Sequence, residues 1–275
     1  MPLQRVPVAL SIAGSDSSGG AGIQADLKTF SALGVYGATV LTAVTAQSTR
    51  GISAVHIIPP QIVSAQLEAV FDDLDIRAVK LGMLADAATV EAVVAGLIRY
   101  RPFFVALDPV MIASSGTRLL STDAVSRLIS GLLPLTDCLT PNLAEAAALL
   151  QTTLASSEAE MEQQGRALLD LGPRAVLMKG GHAMLDEAVD LLVTRTGTQR
   201  FAAPRIVSSN LHGTGCTLSA GITAAVVRGA PLTTAIEKAK GYLSGAVDAG
   251  RDLVFGHGSG PVDHLHRGRY DRSSD

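Results

Sequence analysis

The chain has 275 residues, of which 47% are apolar, and a formal net charge of −3, so it can bury a large core and has no basic field for nucleic acid or an anionic membrane. Two cysteines, Cys138 and Cys216, exclude the disulfide framework of a small secreted protein and favour a reduced cytoplasmic setting. The apolar run that begins at Val8 ends at Gly14, which is too short for a secretion signal or a membrane span, so we expect a soluble intracellular protein.

Short apolar runs of β-type composition alternate with stretches of helical periodicity along the chain. The β-type runs predict strands at residues 8–13, 39–46, 52–58, 79–81, 103–107, 138–140, 175–178, 189–194 and 199–203. The helical stretches predict helices at residues 21–33, 62–71, 87–100, 123–132, 141–150, 158–171, 216–227 and 232–248. This order is typical of a mostly parallel sheet with helices on both faces.

We predict a single domain over residues 1–275, with a core of about 8–262 and a polar tail at 263–275 that frays from His264 onward. Polar, glycine and proline residues gather at the carboxyl ends of the predicted strands, where open α/β sheets bind ligands. These positions are 14–22, Gln47, 82–83, 108–110, Asn142 with Glu145, 179–182 and 212–216.

The glycine-rich loop at residues 14–22 lies between a predicted strand and a predicted helix. Its second half fits a loose dinucleotide-binding fingerprint, but that motif also needs an acid after the second strand, and residues 27–67 contain none. A nicotinamide enzyme is therefore disfavoured. We expect the loop to close over a small substrate, with Asp26 one turn into the helix, and a plain tight turn is the alternative.

The turn from His212 to Cys216 precedes another predicted helix. Gly213 and Gly215 allow backbone N–H groups to point at a ligand, and the helix N-terminus favours negative charge, so the turn predicts an anion site suited to phosphoryl transfer. A thiol at a helix start has a lowered pKa, so Cys216 is a candidate proton acceptor. A simple helix cap with a buried, inert cysteine is the alternative.

Carboxylates and a lysine follow three other strands. Asp108 lies at a strand end, and Glu145 shares a helix face with Asn142, so the two carboxylates could hold Mg²⁺ through waters. Lys179 precedes two glycines and is a candidate phosphate ligand. Helix capping by Asn142 and Glu145, and a solvated Lys179, are the competing interpretations.

Some motifs are missing from the sequence. There is no Gly-Lys dipeptide, which excludes a Walker-type phosphate loop, and no histidine and cysteine spacing resembles a zinc site. A Gly-x-Ser-x-Gly motif is also absent, which argues against an α/β-hydrolase.

Six motifs in order make the chain closely similar to a known family. They are Ala13–Asp16 with Ser18–Asp26, Val79–Met83, Asp108–Met111, Thr140–Glu145, Lys179–His182 and His212–Cys216. Over residues 8 to 262, approximately, the sequence resembles the hydroxymethylpyrimidine/phosphomethylpyrimidine kinases of thiamine biosynthesis. The resemblance implies a ribokinase-like three-layer α/β/α sandwich, ATP and Mg²⁺ as cofactors, and a homodimer.

The implied activity is phosphorylation of 4-amino-5-hydroxymethyl-2-methylpyrimidine by ATP, followed by phosphorylation of the monophosphate. The resemblance places the pyrimidine pocket at Gly14, Asp26, Gln47, Met83, Val110 and Cys216. It assigns catalysis to Cys216, Gly213, Gly215 and Lys179, ATP contacts to Asn142, Lys179, His182 and Thr214, and Mg²⁺ to Asp108 and Glu145.

One residue departs from the family pattern, since Ser17 stands where proline is usual, and we expect a less rigid loop. Related pyridoxal kinases carry aspartate at the position of Cys216, which favours the pyrimidine kinase. A pyridoxal kinase, and a catalytically silent pyrimidine-binding protein of the same fold, remain the alternatives.

Overall fold

The computed structural model describes residues 5–111, 120–181 and 187–268. Its strands alternate with helices as the sequence predicts, and they form one nine-stranded sheet. The strands are β1 (Val8–Asp16), β2 (Tyr36–Ser48), β3 (Gly51–Ile57), β4 (Ile76–Leu81), β5 (Phe104–Leu107), β6 (Cys138–Leu139), β7 (Ala175–Lys179), β8 (Glu187–Thr194) and β9 (Gly197–Pro204). The helices are α1 (Gly22–Ala32), α2 (Pro60–Asp73), α3 (Ala87–Tyr100), α4 (Thr122–Arg127), α5 (Leu143–Leu150), α6 (Glu158–Leu169), α7 (Thr214–Val227) and α8 (Leu232–Gly250).

The sheet order is β3-β2-β1-β4-β5-β6-β7-β8-β9. Strands β2, β1, β4, β5, β6 and β7 pair in parallel, whereas β3 at one side and β8 and β9 at the other pair antiparallel. The carboxyl ends of the six parallel strands therefore meet at one edge. This edge carries all the loops for which the sequence predicts ligand contacts.

Helices cover both faces of the sheet, which gives the predicted three layers. Neighbouring residues of β5 show the division, because Val105 and Leu107 pack with α2 to α6 while Phe104 and Ala106 pack with α7 and α8. Helix α1 joins the second layer through Phe30, which packs against α7. Side chains alternate across a strand, so apolar residues at consecutive positions can serve two cores.

The helix predicted at residues 123–132 is confirmed, with regular α-geometry through Arg127 and a π-type turn from Leu128 to Leu132. The predicted fraying of the tail from His264 onward is wrong at His264. The described part of the tail is packed: His264 is 4% exposed, and its ring contacts Thr217 Oγ1 at 3.0 Å while its carbonyl accepts a bond from the Tyr242 hydroxyl. Burial lowers the pKa of His264 to about 4, so this histidine is a neutral core residue at pH 7.

The helix predicted to start at Pro141 begins two residues later, at Leu143. Within the described ranges, no helix combines the length and the apolar composition that crossing a bilayer requires.

Candidate active site

The turn at residues 212–216 ends in the first residues of α7, which begins at Thr214 and not at Cys216 as predicted. Gly213 has a φ of +81°, and a side chain there would overlap the carbonyl oxygen of Gly20. Only glycine fits this position, since it must adopt a left-handed conformation against another loop. Among the described residues, the backbone N–H groups of Gly215 and Cys216 have no hydrogen-bond acceptor. They are available to an anion at the positive end of a helix.

A lysine and two carboxylates lie directly beside this helix start. Lys179 Nζ is 2.6 Å from Asp108 Oδ1 and 3.9 Å from Glu145 Oε2. A side chain at Gly215 would come within 3.2 Å of Lys179 Nζ and 3.3 Å of Asp108 Oδ2. The structure therefore brings together Gly215, Lys179, Asp108 and Glu145, which come from four distant segments of the sequence. Lys179 is a buried ion-pair partner in this site, not a solvated lysine.

The net charge of the cluster of Lys179, Asp108 and Glu145 is close to zero at pH 7. Burial, together with the charge of Asp108, raises the pKa of Glu145 to about 7, although Lys179 opposes the shift. Burial alone would lower the pKa of Lys179, but Asp108 and Glu145 outweigh it and raise the pKa. The lysine is therefore protonated at pH 7, and Glu145 can hold or release a proton there.

Asn142 and Glu145 form a capping box at the start of α5. The Glu145 N–H donates to Asn142 Oδ1, and the Asn142 N–H donates to Glu145 Oε2, both at 2.8 Å. The capping interpretation is thus correct for both residues, and it also fixes the Glu145 carboxylate beside Lys179.

Cys216 is half-buried in the first turn of α7. Burial raises the pKa of its thiol to about 11, although the charge of Lys80 and a hydrogen bond from the Gly22 N–H lower it. The expectation that the helix start lowers this pKa is therefore wrong. The helix dipole favours a thiolate in this first turn, but removal of water from the thiolate costs more.

A buried ion pair of Lys80 and Asp26 lies next to Cys216, and Lys80 was not among the predicted site residues. Lys80 Nζ is 2.9 Å from Asp26 Oδ2, which also accepts a hydrogen bond from Ser11 at 2.5 Å, and neither charged side chain has any exposed surface. A lysine inside an apolar strand is the signal that could have pointed to it. Asp26, predicted to line the pyrimidine pocket, is fully covered in this structure, and its contact with substrate stays a prediction.

The pyrimidine residues Gly14, Met83 and Val110 come together at the ends of β1, β4 and β5. Met83 packs with Val110 in one small apolar cluster, and a side chain at Gly14 would lie 3.1 Å from Met83 Sδ. These three positions can form an apolar wall for a flat ring.

Gln47, a further predicted pyrimidine contact, lies against His212, which in turn contacts Asp16, and the sequence assigns neither of these two residues to the site. His212 Nε2 lies 2.9 Å from Asp16 Oδ2 and 3.2 Å from Gln47 Nε2. Asp16 also accepts hydrogen bonds from the backbone N–H groups of residues 18, 20 and 21. Burial would raise its pKa, but the hydrogen bonds from His212, Ser18 and the loop hold the pKa of Asp16 well below its usual range.

A cavity of about 830 Å³ adjoins Gln47 and Ser18. It is lined by the β2–β3 turn and residues 255–265, and neither Asp108 nor Cys216 borders it. Thr214 lies in the first turn of α7, as its predicted contact with ATP requires. His182 lies outside the described residues. In the part of the chain that is described, no three side chains of the metal-ligating types cluster, so only Asp108 and Glu145 are available to a cation here.

Comparisons with known proteins agree on one family. The family model described as phosphomethylpyrimidine kinase matches residues 16–263. A hydroxymethylpyrimidine/phosphomethylpyrimidine kinase of Rhizobium meliloti is 55% identical over 260 residues, which cover 94% of this chain and 97% of that protein. The Escherichia coli protein of the same name is 54% identical over 258 residues, with 94% and 97% coverage.

Solved structures of two kinds share the fold. A phosphomethylpyrimidine kinase from Clostridium difficile is 43% identical with a TM-score of 0.78, covering 88% of this chain and all of that one. An ADP complex of Bacillus subtilis pyridoxal kinase is 32% identical with a TM-score of 0.89, covering 96% and 99%. A Staphylococcus aureus pyridoxal kinase with AMP-PCP and pyridoxal is 30% identical with a TM-score of 0.88, covering 97% and 96%.

Proposed function

Because this chain belongs to the phosphomethylpyrimidine kinase family, we propose that it phosphorylates 4-amino-5-hydroxymethyl-2-methylpyrimidine with ATP and then phosphorylates the monophosphate, as a step of thiamine biosynthesis. The supporting observation is that Lys179 and Asp108 lie beside Gly215 at the start of α7. There the N–H groups of Gly215 and Cys216 have no hydrogen-bond acceptor among the described residues. Phosphoryl transfer needs donors and a cation where charge spreads over the transferred oxygens. This arrangement supplies both.

In this mechanism the α7 amides bind the oxygens of the transferred phosphoryl group. Lys179 neutralises their charge, since its raised pKa keeps it protonated. Thr214, Asn142 and His182 are proposed contacts of ATP, and Gly213 provides the turn that points the amides inward.

Asp108 and Glu145 would hold Mg²⁺, because carboxylate oxygens are the ligands that this ion prefers and their charge exceeds that of Lys179. Bound Mg²⁺ would neutralise phosphate charge in the transition state. The proton of Glu145, whose pKa is about 7, would leave when a cation binds.

Gly14, Met83 and Val110 would pack against the pyrimidine ring, Gln47 would bond its polar edge, and Asp26 would also line the pocket. Cys216 would accept the proton of the attacking hydroxyl. The pKa of about 11, which already includes the lowering by the charge of Lys80, makes the thiolate a strong base but leaves the thiol rarely ionised at pH 7.

The proposal is tested by following product masses over time with the pyrimidine alcohol, ATP and Mg²⁺. We expect a monophosphate that is converted to the diphosphate, and a product that stops at the monophosphate would refute the second step. Cys216→Ala should lower turnover severely and leave pyrimidine binding measurable by calorimetry. A near-normal rate in that variant would exclude a role for the thiol as the base.

Pyridoxal kinase is the second candidate, and the higher TM-scores to pyridoxal kinases favour it. The higher sequence identity to the pyrimidine kinases argues for the first. Values of kcat/KM for the two alcohols decide between them, and a larger value for pyridoxal would overturn the pyrimidine assignment. ATP that is not consumed with either alcohol would indicate a silent binding protein.

We also propose a cytoplasmic homodimer, as the family resemblance implies. The two cysteines are unpaired, which is consistent with a reducing compartment. Sedimentation analysis of the purified chain measures the assembly state.

A further inference from the structure

Ser17 fixes the main chain of Gln47 in place. Its hydroxyl donates to the Gln47 carbonyl oxygen and accepts from the Gln47 N–H, both at 2.8 Å. A proline at this position, as in the resembled family, could make neither bond. With its backbone held, Gln47 keeps freedom mainly in its side chain, and the orientation of its terminal amide depends on that side chain's neighbours.

The first neighbour is His212, whose Nε2 lies 2.9 Å from Asp16 Oδ2. Asp16 is ionised, since its pKa lies well below the usual range, and an ionised carboxylate can only accept hydrogen bonds. The Nε2 atom of His212 must therefore carry a hydrogen. As placed, the Gln47 amide nitrogen lies 3.2 Å from this same atom, so two donors face each other.

The second neighbour, Thr45, shows the same conflict independently. Its hydroxyl lies 2.8 Å from the Ser15 carbonyl oxygen and 3.2 Å from Gln47 Oε1. Both oxygens only accept, and the hydroxyl has a single hydrogen to donate. The shorter contact takes that hydrogen, which leaves Gln47 Oε1 facing a lone pair.

A half-turn of the Gln47 amide about its Cγ–Cδ bond resolves both conflicts. It places the amide nitrogen where it can donate to Thr45 Oγ1, and the amide oxygen where it shares the single His212 Nε2–H with Asp16 Oδ2 in a three-centre hydrogen bond. We propose that the Asp16–His212 pair holds the Gln47 amide in this orientation, and that the orientation makes the enzyme select 4-aminopyrimidines against 4-oxopyrimidines.

The selectivity follows from the hydrogen-bonding capacity that remains on the amide. With one hydrogen given to Thr45 and one lone pair to His212, Gln47 keeps one donor and one acceptor for a ligand. A 4-aminopyrimidine presents an N–H donor beside a ring-nitrogen acceptor. A 4-oxopyrimidine presents the reverse, a carbonyl acceptor beside a ring N–H donor. A fixed amide can match only one of these edges, and the other would meet it donor to donor.

This inference rests on the proposed function, in which Gln47 contacts the pyrimidine, and makes Asp16 and His212 positioning residues. Steady-state kinetics with 4-amino-5-hydroxymethyl-2-methylpyrimidine and its 4-oxo analogue test it. We expect the unmodified protein to prefer the amino substrate by about 10³-fold or more in kcat/KM. His212→Leu, which removes the donor, should reduce that preference by about tenfold or more, mainly through a higher KM for the amino substrate.

The matched control is His212→Gln, which can still donate to Asp16 and Gln47 and should keep the preference within about threefold. A general loss of packing at this position would instead lower kcat/KM for both substrates alike. An unchanged preference in His212→Leu would overturn the inference.

A direct measurement needs no turnover. The ¹⁵N spectrum of histidine-labelled protein, with the His212 signals assigned by comparison with His212→Gln, should show a hydrogen on Nε2 between pH 6 and 8. A hydrogen-free Nε2 would overturn the orientation whether or not the enzyme is active. If no aminopyrimidine is phosphorylated, the proposed function fails while this spectrum still decides the orientation. If His212→Leu fails to fold, the spectrum of the unmodified protein still decides the orientation.

Discussion

The buried pair of Lys80 and Asp26 allows a quantitative prediction for Lys80→Met. Methionine is close to the lysine stem in volume, but it leaves the Asp26 carboxylate in a fully covered position with only the Ser11 hydroxyl as partner. The Oδ1 atom of Asp26 already has no partner among the described residues. We therefore expect an uncompensated buried charge, which costs about 3–5 kcal/mol of the free energy of unfolding.

For 275 residues the entropy of unfolding is about 0.6 kcal/mol per degree, so this cost lowers the melting temperature by about 5–9 °C. The size of the deficit should depend on pH. Burial raises the pKa of Asp26, and Lys80 is the largest opposing cause, so in the variant the folded-state pKa rises further. A carboxyl with a raised folded pKa stabilises the fold when protonated, and this is lost as pH rises through that pKa. The deficit should therefore be smaller at pH 5 than at pH 8.

Urea unfolding followed by circular dichroism at both pH values measures the effect. Asp26→Asn in the Lys80→Met background removes the stranded charge and should recover part of the lost stability. Arg99→Met is the matched control, because Arg99 pairs with Glu68 at 3.1 Å on the surface, and its loss should leave the melting temperature unchanged. A Lys80→Met cost below about 1 kcal/mol, or equal deficits at pH 5 and pH 8, would refute the reasoning.

Three further predictions concern the reacting centre. Gly213→Ala should lower kcat by about 100-fold, because its left-handed conformation and its contact with Gly20 exclude a side chain, and a normal kcat would contradict this. Lys179→Met should lower kcat by about 10²–10³-fold and leave the calorimetric Kd of the pyrimidine within about threefold. A weaker pyrimidine affinity would contradict the assignment of this lysine to the phosphoryl group. Alkylation of Cys216 by iodoacetamide should accelerate by about tenfold per pH unit from pH 7 to pH 10, since burial raises its pKa to about 11, and a plateau at pH 8 would show an ordinary thiol.

Elements with complete local signals were predicted well. Helix α3 has the predicted bounds, because Asp86 caps its first turn by accepting from the Thr89 N–H and Arg101 ends it in a left-handed conformation. The segment predicted as a helix at 123–132 is helical to its end, but apolar spacing cannot distinguish α-geometry from the π-type turn that begins at Leu128.

The glycine and strand-end patterns also located Gly215, Lys179, Asp108 and Glu145, because parallel strands bring their carboxyl ends to one edge. Asp16 and Lys80 were missed as functional residues. Their residue types are visible in the sequence, but their partners His212 and Asp26 lie far away along the chain.

The turn at 212–216 shows most clearly which properties the sequence determines and which the tertiary structure determines. Its sequence predicted a glycine turn at a helix start and an anion site there, and the structure confirms the turn, with a φ of +81° at Gly213 that favours glycine. The tertiary structure alone decided the pKa of Cys216 and the hydrogen on His212. Both depend on burial and on charges brought by β1, β4 and α1. Electrostatic energies follow distances in space, and sequence spacing does not specify those distances.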